Sequence, residues 1–232
     1  MEGELQVELR LFLFDGSFIA EFRVKNNNPG SILENVKVDL KHSGETFEIA
    51  HIIPAKAVTF GESAECYVGL RKAEECEDLI AEERFEAIAT YTVKEVQGEV
   101  VKTSYQDEFS LESFEIKLAS YMAPWLFEPS DFPAEWERMK GFEDNNTFQL
   151  SYKSTQHAEE ELLRHFGMKK MESIDDSSRG NMVSVNLAGR FLGSKGVLVV
   201  LMLAFDTKMG CLLKIKVKSQ DEDLTGELIN SI

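Results

Sequence analysis

Through most of the first half of the chain apolar residues recur at every second position, the period of a strand with one buried face. Leu5, Val7, Leu9, Leu11 and Leu13 alternate with polar neighbours, and Phe18, Ala20, Phe22 and Val24 do so again after Asp15-Gly16. An Asp-Gly pair between two such runs predicts a hairpin. Asn26-Asn27-Asn28-Pro29-Gly30 is a polar turn cluster, and a third alternating run at Val36, Val38 and Leu40 ends near Ser43-Gly44. Further period-two runs stand at Ala64 to Leu70, at Phe85 to Val93 and at Phe114, Ile116 and Leu118. About seven strands, each with one apolar face and joined by short turns, predict two antiparallel sheets packed face to face. The acidic stretch Ala73 to Glu83 carries Glu74, Glu75, Glu77, Asp78, Glu82 and Glu83, and reads as a solvated loop or short helix.

The pattern then breaks. Pro124, Pro129 and Pro133 fall within ten residues, and each proline fixes its own dihedral and pushes its predecessor away from helix. A domain boundary is expected near Tyr121, giving a sandwich over residues 1–120 and a second domain over 121–232. Trp125, Leu126 and Phe127 lie inside this joint and are expected to pack between the two. Asp131-Phe132-Pro133-Ala134-Glu135-Trp136 reads as a first helical turn, from which Trp136 either enters a core or lines an exposed hollow. Phe148, Leu150 and Tyr152 alternate as a strand. A helix follows, capped by Ser154 or Thr155, with Glu159 to Glu161 in its early turns, Arg164 and His165 late, and Gly167 past its end. Ala158, Leu162, Leu163 and Phe166 share one face of it. Three strands are expected between Asn181 and Lys218, the middle one, Val197 to Phe205, apolar throughout and so buried on both faces. The fold class is therefore mainly β: a β-sandwich followed by an α/β part, an antiparallel sheet with helices on one side.

Charge narrows the partners. The 232 residues carry a formal charge of −16, the opposite of the basic footprint that nucleic acid requires. Residues 1–120 hold 24 acidic and 12 basic groups and residues 121–232 hold 17 and 13, so an acidic ligand is better tolerated by the second half. Between Asp206 and Asp221 there is no acidic residue, yet Lys208, Lys214, Lys216 and Lys218 occur, the last three on one strand face. That stripe reads either as an edge strand guarded against stray pairing or as a site for an acidic ligand. Cys66, Cys76 and Cys211 form no Cys-x-x-Cys pair and are expected to be free thiols in a reducing compartment. No basic-then-apolar leader opens the chain and no apolar run is long enough to cross a bilayer, so a cytosolic location is expected.

Enzyme chemistry has little support. His157 and His165 lack His-Glu-x-x-His spacing and read as surface histidines, with no metal expected. The stretch Gly189 to Gly196 superficially suggests a phosphate loop, but Ser194 stands where glycine must precede lysine and a strand follows where a helix is needed, so it reads as a hairpin turn. Neither a nucleophile elbow nor a cofactor motif is present.

Several stretches carry a resemblance to a known family. Leu33-Glu34-Asn35-Val36, Ile53-Pro54-Ala55-Lys56 with Cys66-Tyr67, Tyr91-Thr92-Val93-Lys94, Phe132-Pro133-Ala134-Glu135-Trp136, Phe166-Gly167-Met168, Leu187-Ala188-Gly189 and Asp206-Thr207 resemble, in register from about residue 18 to about 219, the appendage (ear) domains of vesicle-coat adaptors. The likeness is strongest to the coatomer gamma subunit. It implies an immunoglobulin-like sandwich followed by a platform, on a coat subunit of the COPI coat in Golgi to ER transport. It implies a non-enzymatic module, peripheral on Golgi membranes through the coat, that recruits an Arf GTPase-activating protein and other accessory proteins through a tryptophan pocket. Trp136 falls on that tryptophan. The family pairs it with arginines on later strands; one such position aligns with Val199, which leaves Lys214 or Lys216, and Arg190 on a neighbouring strand, to complete the site. The resemblance also implies a piece of a longer subunit, whose helical trunk meets the other coatomer subunits. The alternative is a clathrin-adaptor appendage recruiting endocytic accessory proteins, whose Asp-Phe-Phe pattern differs from Asp131-Phe132-Pro133 here.

Overall fold

The computed structural model describes residues 4–14, 16–42, 44–97, 100–171, 182–206, 208 and 210–232. The expectations that fall on Asp15, Ser43, Asn181 and Thr207 lie outside the described residues. The chain divides into two compact units, Met1–Glu77 with Ala81–Ile116, and Asp78–Ile80 with Lys117–Ile232.

The first unit is a β-sandwich. Its strands are β1 (Leu5–Phe14), β2 (Ser17–Asn26), β3 (Ser31–His42), β4 (Phe47–Ile53), β5 (Ala55–Thr59), β6 (Ser63–Lys72), β7 (Glu83–Gln97), β8 (Val100–Ser110) and β9 (Phe114–Ile116). One sheet runs β1-β2-β6-β4 and the other β5-β3-β7-β8, with β9 also on β7, all pairs antiparallel. The alternating apolar positions supply the interior: Phe18, Ala20, Phe22 and Val24 from one sheet and Val36, Val38, Phe85, Ala87 and Ala89 from the other are buried. Phe85 meets Phe47 of the opposite sheet edge-on, with ring centroids 6.1 Å apart, and stacks on Phe114 at 5.2 Å. Each such ring contributes roughly 1.5–3 kcal/mol by leaving water.

The period-two pattern does not mark strands β4, β5 and β8. In β8 every residue is exposed, so no apolar face marks it. The acidic stretch before β7 is a loop, but its last residue is not solvated. Glu83 begins β7, is buried, accepts a hydrogen bond from the Phe47 backbone N–H at 3.1 Å and faces His42 Nδ1 at 2.7 Å.

The second unit is one mixed α/β layer pair, built on strands β10 (Met122–Pro124), β11 (Phe142–Leu150), β12 (Lys169–Met171), β13 (Met182–Phe191), β14 (Lys195–Asp206) and β15 (Gly210–Ser219). Its helices are α1 (Phe132–Arg138), α2 (Thr155–Phe166) and α3 (Glu222–Asn230). The antiparallel sheet has the order β10-β13-β14-β15-β11, with the short β12 also pairing β13. Ser154 caps α2, accepting from the His157 N–H at 3.1 Å, and Gly167 ends it at φ 63°, where a Cβ would fall 2.7–2.8 Å from Ala119. The turn after β13 passes through Leu192 at φ 50° and Gly193 at φ 71°, so Gly189 to Gly196 belongs to a hairpin.

Alternation in β14 sorts the sheet into two faces. Val197, Val199, Leu201 and Leu203 are fully buried, as are Leu213, Ile215 and Val217 of β15. This face takes α2 and α3 through Ala158, Leu162, Phe166, Leu224, Leu228 and Ile229, and the two helices are joined by a 2.9 Å hydrogen bond between His165 Nε2 and Ser231 Oγ. The opposite face carries Leu198, which is buried, and Val200 and Met202, which are half-buried. The middle strand is therefore covered on both faces only at its beginning.

Candidate functional site

The opposite face of the second unit's sheet holds the candidate site. Pro133 is the second residue of α1 and lacks only a backbone donor that the first turn would leave unused, so the seven-residue helix accommodates it. Phe132 on α1 is buried against Met139, Met171, Ala188 and Leu198, and Trp125, Phe127, Trp136 and Val200 pack around that cluster while only partly buried. The rings follow one another from Trp125 to Phe127 at 5.3 Å, to Phe132 at 6.4 Å and to Trp136 at 6.0 Å. Trp125 and Phe127 thus belong to the second unit's own apolar cluster, and Leu126 between them is 74% exposed. The proline joint is an integral part of this unit, because β10 pairs with β13 and holds the segment on the sheet.

Trp136 is neither a fully enclosed core residue nor a free surface ring. One side of the indole packs on Phe132 and the cluster; over the ring lies the Lys218 ammonium, 5.8 Å from its centroid. Lys218 Nζ also donates to the Trp136 backbone carbonyl at 2.9 Å, satisfying a carbonyl near the end of α1 where the helix leaves its acceptors without partners. A cation placed there is attracted by both the ring quadrupole and the helix end.

The sequence reading names Arg190, Lys214 and Lys216 as the basic companions of Trp136, and the structure distributes them differently. Arg190 lies over the other indole, its guanidinium carbon 5.0 Å from the centroid of Trp125. Lys216 is 3.6 Å from Glu143, which also stands 3.9 Å from Lys218. Lys214 is exposed, one step farther along β15, opposite Thr147. Lys218 is the cation at Trp136, and its lysine stripe membership is the signal by which the sequence could have placed it. The stripe is not an edge guard: β15 is hydrogen-bonded on both sides, to β14 and β11, and the edge is β11, whose first six residues are exposed. Val199 is fully buried on the helix-covered face, away from Trp136, so no substitution there alters the candidate site directly.

A cavity of about 360 Å³ opens next to this surface, lined by Trp125, Glu135, Arg138, Met139, Lys140 and Gln220. Trp125 owes its position to Gly196, where a Cβ would meet the ring at 2.9 Å. At this same end of the sheet Asp221, next to Gln220, caps α3 by accepting from the Leu224 N–H at 3.0 Å, and the Lys195 ammonium beside it, together with that N–H, holds its carboxyl below the usual carboxylate range. Cys66 and Cys211 are buried free thiols; burial pushes Cys66 up to about 11, the reverse of what a nucleophile needs. Among the described residues no cluster of three or more His, Cys, Asp or Glu is arranged to hold a metal ion, and no helix is long and apolar enough to cross a membrane. The surface combines two half-buried indoles, a lysine row and an adjacent apolar strip.

Two family models cover the chain. Residues 1–117 match the one described as the coatomer gamma subunit appendage platform subdomain, and residues 119–232 match the coatomer subunit gamma-1 C-terminal appendage platform. Relatives include coatomer subunit gamma-1 of Mus musculus, 26% identical over 85% of this chain, and coatomer subunit gamma-2 of Takifugu rubripes, 26% identical over 100% of it. Coatomer subunit gamma-2 of Oryza sativa subsp. japonica is also 26% identical, over 98% of this chain. The chain spans about a quarter of the length of these relatives, 23% of the mouse protein and 26% of the other two. Both models describe coat appendages of the gamma type and no enzyme, and together they take in the sandwich and the sheet that carries Trp136; the chain belongs to the coatomer gamma-subunit appendage family.

Proposed function

We propose that the chain is the appendage of a COPI coat gamma subunit and that its second unit recruits accessory proteins, an Arf GTPase-activating protein among them, through the surface around Trp136. The observation that carries this reading is the half-buried Trp136 indole with the Lys218 ammonium above it, on a sheet face that no helix beyond the seven residues of α1 covers among the described residues. Aromatic anchors at the centre of small interfaces contribute far more than their neighbours, and a fixed cation beside one favours acidic, aromatic segments over neutral ones. The partner is a protein segment, nucleic acid being disfavoured by the charge of −16. Membrane association is indirect, through the coat, with the protein cytoplasmic and peripheral on Golgi membranes. Contacts to other coatomer subunits belong to parts of the parent subunit outside this chain. The test is a pull-down from cytosol with wild-type chain and Trp136→Ser. Capture of the Arf GTPase-activating protein by wild type and its loss in the folded variant support the reading; equal capture by both overturns it.

A further inference from the structure

The lysine row has a geometry of its own. Lys218, Lys216 and Lys214 occupy alternate positions of β15, opposite Glu143, Asn145 and Thr147 of β11 and opposite Leu198, Val200 and Met202 of β14. Successive lysine Cα positions therefore stand about 6.6–6.8 Å apart along the strand. An extended ligand has the same repeat, so carboxylates two residues apart on such a ligand meet successive lysines. Beside the row Val200 and Met202 are half-buried, which gives the intervening side chains apolar surface to lie on.

Glu143 occupies the first interval of this row. Its carboxylate stands 3.6 Å from Lys216 and 3.9 Å from Lys218, and its side chain is 39% exposed. Contacts of that length and exposure are weak and exchange readily for another carboxylate. Lys214, by contrast, is exposed and has no ion pair within 4 Å among the described residues. The pattern is that of a row whose first two cations are held by an internal carboxylate and whose third is open.

We propose that the site takes an acidic segment in extended form along β15, its acidic residues spaced by two, and that Glu143 is an internal competitor which the segment displaces. This rests on the reading of Trp136 as the anchor of the site. The ligand enters with a carboxylate at Lys214, replaces Glu143 between Lys216 and Lys218, and seats its aromatic residue on Trp136.

The experiment uses the whole 232-residue chain and two fluorescein-labelled synthetic peptides of equal length and composition. Each contains one Phe and three Asp, with the Asp residues at alternate positions in one and contiguous in the other, read by fluorescence polarisation. The alternating peptide is expected to bind several-fold more tightly. Glu143→Gln, which keeps the side chain's size on an exposed edge strand, is expected to tighten it a further threefold or so, on the order of two weak surface pairs released. Lys214→Gln is expected to weaken only the alternating peptide. Equal affinity for the two peptides, or an affinity that Glu143→Gln leaves unchanged or lowers, overturns the proposal. Failure of the underlying reading is distinguishable: in that case Trp136→Ser leaves binding of both peptides intact, whatever their spacing.

Discussion

Trp136 divides its indole between an apolar cluster and solvent, so truncating it measures two quantities at once. A large aromatic residue removed from a closed core costs roughly 3–5 kcal/mol of stability. Here the ring lies on top of Phe132 without being enclosed, and the buried members of the cluster, Phe132, Met139, Met171, Ala188 and Leu198, remain in place without it. Trp136→Ser is therefore expected to lower stability by only about 1–2 kcal/mol, within the common range for single substitutions. Loss of an anchor at the interface centre costs roughly 2 kcal/mol or more of binding. Thermal melts and an affinity measurement on the same preparation check the ratio. A loss of stability as large as a core truncation would return Trp136 to the core and remove the reason for calling it an anchor. Phe132→Ala supplies the contrast, since its ring is 4% exposed and should show the larger stability loss.

At the scale of elements, α3 offers a test of local electrostatics with a definite sign. Asp221 is its N-cap, and the Lys195 ammonium and the Leu224 N–H depress the carboxyl's pKa in the folded chain. A group depressed on folding stabilises the fold above its unfolded value, about 3.9, and that contribution fades as pH falls through the folded value. Asp221→Asn keeps a capping oxygen and removes the charge, so its melting temperature should lie below wild type at neutral pH and converge with it in acid. Asp221→Ala also loses the cap, for about 1 kcal/mol more at any pH. A gap between wild type and Asp221→Asn that persists unchanged in acid would show that the ion pair with Lys195 is not its source. The elements themselves were legible to the extent that one face of each was apolar. Ser154 and Gly167 marked α2 because capping is local, as did Arg164 and His165 in its last turn, whereas Glu159 to Glu161 lie past its first turn, which carries no acidic residue. Strand β8 and the first residues of β11 were not legible, because both lie at sheet edges with exposed side chains and carry no alternation. The lysine row was visible as spacing, but its place inside the sheet was not, since β11 pairs with β15 from more than sixty residues away. That same pairing brings Glu143 to Lys216 and Lys218, which no reading of either segment alone supplies. Arg190 was expected beside Trp136, but the structure places it over Trp125, and which of the two indoles it meets depends on β10 pairing with β13.

At the scale of the whole molecule, a chain of charge −16 that binds an acidic segment sets local attraction against global repulsion, and salt separates the two. At an ionic strength near 0.01 M the screening length is about 30 Å, comparable with the diameter of a small domain, so an approaching acidic peptide feels the net charge of the chain. At 0.15 M the length is about 8 Å and the peptide responds chiefly to the groups around it, among them Lys214, Lys216, Lys218 and Glu143 along the row. At 1 M, with a length of about 3 Å, even these are screened. The association rate of the alternating acidic peptide should therefore rise between 0.01 and 0.15 M, the reverse of the usual trend for electrostatically steered pairs. Affinity should then fall between 0.15 and 1 M as the lysine row is screened. Stopped-flow mixing across the three conditions measures the first effect and polarisation titrations the second. A rate that falls steadily from the lowest salt would mean that the lysine row dominates the field at every distance. An affinity identical at 0.15 and 1 M would mean that the row takes no part, leaving the apolar contacts of Trp136, Val200 and Met202 to hold the ligand.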